Sequence, residues 1–153
     1  PAPTTTTRTL EKLETLSQKL AGTAPDATQK GDIALARRVL EALGGLDVGQ
    51  AVVVQAGRVL AIEAAEGTNA MLRRASGLVD ESEIAAVMVK LPKSGQDRKL
   101  DMPVIGVATV ESATAAGVGV IAVRAGGVLF AEAATDLRKA AQAQGLTLLG
   151  LEG

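Results

Sequence analysis

AVVVQAGRVLAIEAA, residues 51–65, decides how this chain is read. Two runs of aliphatic, β-branched residues flank Ala56-Gly57, and a glycine there supplies the left-handed backbone that a tight turn requires. The stretch therefore predicts two short strands joined as a hairpin. A hairpin among helical patterns implies a sheet with helices laid against it.

Toward the N-terminus, Asp26 and Gln29 stand three residues apart in a capping-box pattern. Ile33, Ala36, Leu40 and Leu43 then keep helical spacing until Gly44-Gly45. Gly31 inside that helix costs about 1 kcal/mol relative to alanine, so the helix needs tertiary support. Further back, Leu10, Leu13, Leu16 and Leu20 predict another helix closed by Gly22. That stripe reads as a packing face or a dimer contact and is too short for a coiled coil. PAPTTTTR (1–8) reads as a disordered lead-in or an expression remnant.

Toward the C-terminus, TNAMLRRASG (68–77) predicts a short helix capped by Thr68 and stopped by Gly77. IAAVMVKL (84–91) reads as a buried strand, and Thr109 as the start of a helix that ends at Gly117. Glu111 and Asp136 are each expected in a first helical turn, where a carboxylate suits the macrodipole. Laying 121–134 over 52–65 without a gap matches eight of fourteen positions, so each half reads as hairpin, helix, strand. The fold expected is α/β (α+β). A mixed sheet is covered by helices as two ββαβ pseudo-repeats, with one or two helices in front. Residues 1–26 are expected as tail, helix or linker, and 27–153 as one domain.

Composition excludes more chemistry than it admits. The chain has no His, Cys, Trp or Tyr, and Phe130 is its one aromatic residue. Histidine and cysteine catalysis, Cys/His zinc sites and haem ligation by histidine are therefore absent from its repertoire. What remains is carboxylates, Lys, Arg, hydroxyls, backbone amides and oxygen-bound hard cations such as Mg²⁺ or Ca²⁺. A formal net charge of -1 and the lack of aromatic platforms argue against general nucleic-acid binding. No apolar run approaches the ~20 residues needed to span a bilayer, and no leader pattern opens the chain. The lack of cysteine is compatible with a reducing cytosol.

Two places interrupt the repeat, and both lie at ends of elements, where scaffolds carry functional groups. The first copy inserts Glu66-Gly67 before Thr68, and its last strand leads into KSGQDRKLDMP (93–103). If 97–101 is extended, Asp97 and Asp101 lie roughly 13 Å apart, at about 3.3 Å per residue. That is too far for one Mg²⁺ bound at about 2.1 Å, so a metal site would recruit one of them with a partner such as Glu66. Lys90, Lys93, Arg98 and Lys99 supply positive charge, and the Glu66-Gly67-Thr68-Asn69 turn opens a helix whose free amides favour anions. The same residues also read as a solvated loop and a plain helix cap. The residues alone thus lead to an α/β domain with a candidate anion or metal site at 66–69 and 90–101.

A resemblance goes further. DIALARRVLEALGGLDVGQAVVV (32–54), VLAIEAAEGTNAML (59–72), VKLPKSGQDRKLDMPVIGVATVE (89–111) and ATAAGVGVIAV (113–123) resemble the C-terminal domain of the LpxI family from Asp32 to about Leu151. These are UDP-2,3-diacylglucosamine pyrophosphatases of lipid A and lipopolysaccharide biosynthesis. The resemblance implies metal-dependent hydrolysis, normally with Mg²⁺, to UMP and 2,3-diacylglucosamine 1-phosphate. It implies a peripheral position at the cytoplasmic face of the inner membrane, a homodimer, and a Rossmann-like domain ahead of this one. By match to the motif, Asp97 and Asp101 are the catalytic acids, and with Glu66 the metal ligands. Lys90, Lys93, Gln96 and Arg98 would meet the phosphates, with Glu66, Gly67, Thr68 and Asn69 as the opposing wall. The alternative is a non-catalytic module that binds a nucleotide-sugar or phosphate, or that self-associates through a sheet edge or the 10–20 helix.

Overall fold

The computed structural model describes residues 19–46, 48–92 and 102–152. Its centre is a six-stranded mixed sheet. The strands are β1 (Lys19–Ala21), β2 (Ala51–Gln55), β3 (Arg58–Ile62), β4 (Ala86–Lys90), β6 (Val118–Arg124) and β8 (Thr147–Leu151), in the order β1-β8-β6-β4-β2-β3. β4, β6 and β8 run parallel, while β1, β2 and β3 pair antiparallel with their neighbours. A second sheet pairs β5 (Val104–Ile105) in parallel with β7 (Leu129–Phe130).

Strand alternation divides the core in two. Val52, Val54, Val87, Val89, Val120 and Ala122 face one side, where Ile33, Ala36 and Leu40 of helix α1 (Ala27–Leu43) cover them. Val53, Met88, Ile121, Val123 and Leu148 face the other side. There they meet Met71 and Leu72 of α2 (Thr68–Ser76), Val110 and Ala113 of α3 (Val107–Ala115), and Leu137 and Ala141 of α4 (Ala134–Gln144). β2 and β4 are buried along their whole length, as strands covered on both faces must be.

The local signals near α1 and the first hairpin hold. Asp26 and Gln29 form the reciprocal capping box, with Gln29 N–H donating to Asp26 Oδ1 at 2.8 Å. Gln29 also donates from Nε2 to Ala85 O at 3.1 Å, which ties the helix start to the approach of β4. Ala56 and Gly57 both adopt positive φ, as a two-residue hairpin turn requires.

Other expectations are corrected. Lys19 and Leu20 belong to a strand rather than to the end of a helix. The open edge of β8 offers them a partner, and pairing there overrides local periodicity. Leu10, Leu13 and Leu16 lie outside the described residues. Gly67, at φ +89°, is the N-cap of α2, and Thr68 is its first residue. α3 begins at Val107, not Thr109. Gly106 caps it, and the Thr109 hydroxyl accepts the Gly106 N–H at 3.1 Å. Glu111 consequently falls beyond the first turn, whereas Asp136 is in the first turn of α4.

The second half keeps the element order of the first but not its pairing. β6 passes through 125–128 to β7, which pairs with β5 instead of folding back on β6. A hairpin there would compete with β8 and β4, which already occupy both edges of β6. The arrangement remains a mixed sheet covered by helices.

Candidate active site at the carboxyl edge of the sheet

Parallel β4 and β6 finish at Lys90 and Arg124, on the edge where β2 starts and β3 stops. α2 follows β3 at this edge, and α3 follows β5, whose Val104 carbonyl Lys90 reaches. In open α/β sheets ligands collect outside the carboxyl ends of parallel strands, and helix N-termini gathered there add a positive field. The chain leaves the sheet after Leu91-Pro92 and returns at Met102-Pro103, at the same edge.

Lys90 continues the Ala86, Met88 row, and Glu63 the Ala61 row, so both side chains lie on the face covered by α2, α3 and α4. Each is 7% exposed. The Lys90 ammonium donates to Val104 O at 3.1 Å, its one hydrogen bond among the described residues. Burial holds its pKa below the usual lysine value, and the nearby Glu63 carboxylate pulls the other way. The two groups act through space, since the ion pair found among the described residues is Arg74–Glu66.

Glu63 is the anchor at this edge. Its Oε1 accepts the Gln50 N–H at 3.0 Å, its Oε2 accepts the Thr68 hydroxyl, and its own N–H donates to Ala51 O at 2.9 Å. Because Thr68 is turned toward Glu63, it does not cap α2, and Gly67 brings no side chain. A serine or aspartate cap would stabilise the helix by about 1 kcal/mol and occupy one of its free amides. Here no side-chain cap among the described residues takes a first-turn N–H.

The predicted wall at 66–69 is divided. Glu66 accepts from Arg74 Nε at 3.0 Å and from Arg74 Nη2, which also reaches Ile62 O at 3.1 Å. That guanidinium holds the Glu66 carboxyl below its ordinary pKa, and Glu66 in turn raises Arg74. Asn69 is exposed and, with Arg73 and Ser112, lines a cleft of about 250 Å³ between α2 and α3. Gly67 and Thr68 remain at the Glu63–Lys90 edge. Lys93, Gln96, Asp97, Arg98 and Asp101 lie outside the described residues.

Among the described residues no three acidic groups gather to hold a cation, and Glu66 is engaged by Arg74. These residues alone do not fit a Mg²⁺ site. Nor is any helix among them long and apolar enough to cross a membrane.

Sequence reasoning named Lys90 as a candidate and did not single out Glu63, which the structure sets at the same edge. The available signal was the internal overlay, in which Glu63 aligns with Glu132. Glu132 also serves a helix start, accepting the Val107 N–H of α3 at 3.0 Å.

Residues 17–149 match the LpxI C-terminal domain family, starting earlier than Asp32 and taking in β1. A curated relative from Caulobacter vibrioides, named UDP-2,3-diacylglucosamine pyrophosphatase LpxI, is 39% identical over 139 residues. The match takes in 88% of this chain and 49% of that relative, so the chain spans about half the relative's length. With the match to the family's C-terminal domain running from β1 into β8, the chain belongs to the LpxI family.

Proposed function

We propose that the complete protein hydrolyses the pyrophosphate bond of UDP-2,3-diacylglucosamine, giving UMP and 2,3-diacylglucosamine 1-phosphate in lipid A biosynthesis, and that this chain supplies the phosphate-binding half of the site. The observation that carries the reading is the buried Lys90 ammonium at the carboxyl edge of the sheet, in a chain whose relative bears that activity in its name.

The physical argument concerns charge. A diphosphate bridge is anionic and repels an attacking oxygen, so donors placed beforehand at the bridge lower the barrier. Among the described residues Lys90 gives one N–H to Val104, and its burial strengthens any contact with an anion. The uncapped first turn of α2 offers amides to the same charge. Lys93, Gln96 and Arg98 follow Lys90 closely in sequence and are read as further phosphate contacts. Asp97 and Asp101 are read as the acids that position water or bind Mg²⁺. Since Glu66 is held by Arg74, metal dependence rests on these two aspartates. The same reading puts the protein at the cytoplasmic face of the inner membrane, where an acylated substrate would lie, with a Rossmann-like N-terminal domain completing the lipid site.

UMP release from UDP-2,3-diacylglucosamine, measured with Mg²⁺ and then with EDTA, tests the reading. Expected is metal-dependent release by the complete protein, abolished in Asp97→Asn or Asp101→Asn while the Tm barely moves. No release by the complete protein would overturn it.

A second reading, self-association, draws on β3. This strand ends the sheet, pairs only with β2 among the described residues, and leaves Val59 40% exposed. An open edge can pair with a second copy, and a homodimer would be compatible with the enzymatic reading. Sedimentation across a concentration series, with Val59→Lys as the edge-blocking variant, tests it; a monomer at every concentration sinks it.

A further inference from the structure

We infer that Glu63 is a positioning residue of this site, fixing the span between the Lys90 ammonium and the first turn of α2, the two groups that meet the substrate's diphosphate. The inference rests on the proposed function above and assigns a role to a residue that reading leaves unused. A carboxylate beside an anion site repels the ligand, so its presence needs a compensating purpose. A carboxylate this deeply buried is also costly unless its acceptors are filled.

The structure supplies both the filling and the purpose. One carboxylate oxygen holds the start of β2 through Gln50 N–H, and the other holds α2 through the Thr68 hydroxyl. The Glu63 backbone is itself fixed by its bond to Ala51 O and by Gly49. A Cβ at position 49 would stand 1.9 Å from Glu63 O, so the chain at Gly49 packs directly against the Glu63 peptide. Glu63 therefore has little freedom, and what it holds shares its rigidity. Its negative charge also favours the protonated form of Lys90, which burial opposes. Together these keep a charged ammonium and an uncapped helix start at one fixed separation.

The test is steady-state UMP release by the complete protein carrying Glu63→Gln, which keeps the shape and an acceptor but removes the charge. Expected is a fall in kcat of about 10- to 100-fold, the scale of a small misplacement of catalytic groups, with KM and Tm little changed. Thr68→Val, which cuts the link to α2, should lower kcat in the same sense, and it carries the test if Glu63→Gln fails to fold. In a Glu63→Gln, Lys90→Met double variant the losses should not add, because both act on one ammonium. An active wild type with unchanged kcat in Glu63→Gln would overturn the inference and leave the function standing. So would a loss that tracks the unfolded fraction alone. An inactive wild type would overturn the function and the inference together.

Discussion

The Asp32 carboxylate of α1 accepts the backbone N–H of both Ala56 and Gly57, at 2.9 and 2.8 Å. Asp32 is 2% exposed, so a buried carboxylate on one layer closes the hairpin turn of the next. The turn residues both have positive φ, which points their amides the same way and gives the carboxylate two donors.

Removing that carboxylate leaves two turn amides without their acceptor. Asp32→Ala is expected to destabilise the protein by about 3 kcal/mol, since bonds to charged groups are among the stronger ones. Asp32→Asn, which retains one good acceptor, should cost less. Urea denaturation of the three proteins checks the order; equal midpoints would show that the bonds contribute nothing net.

Two glycines should respond in opposite directions. Gly49→Ala drives a Cβ into the Glu63 carbonyl, a backbone atom that cannot swing away. A loss of about 3 kcal/mol is expected, at the upper end for overpacking. Gly31 lies in α1 with nothing within 4 Å of an added Cβ. Gly31→Ala should gain about 1 kcal/mol from helix propensity. Thermal melts decide; a stabilised Gly49→Ala would contradict the close approach.

Lys90 predicts a pH dependence whose sign follows from burial. Its folded-state pKa lies below the ordinary value of 10.5. Below the folded value both states hold the proton, and the cost of burying the charge is present in full. Between the folded and ordinary values the unfolded chain binds more protons, so stability rises with pH. In Lys90→Met that rise should be absent. The variant should be more stable near neutrality, with the difference shrinking as pH climbs toward 10.5. Parallel stability curves from pH 7 to 10.5 would sink the prediction.

Much of the fold is carried by neighbours in sequence. Asp26 and Gln29 cap each other across one turn, Ala56-Gly57 reverses the chain within two residues, and Ala86–Lys90 announces its burial by composition. Such features are legible because both partners of the interaction stand within a few residues. Thr68 and Thr109 show the limit even of local reading. Each looks like a cap, yet one hydroxyl turns to Glu63 and the other returns to Gly106 from three residues inside the helix.

The sequence by itself determined that this is a mixed α/β chain without histidine or cysteine chemistry, and it pointed to Lys90 through the strand that ends there. Only the tertiary structure decided that Lys19–Ala21 joins the sheet, that β7 pairs with β5, and that Glu66 answers Arg74. It alone brought Glu63 near Lys90 and set Asp32 under the turn at 56–57. The physical reason is distance along the chain. Strand pairing and buried charge are settled by which edges and donors the folded chain leaves open, and no local pattern records that.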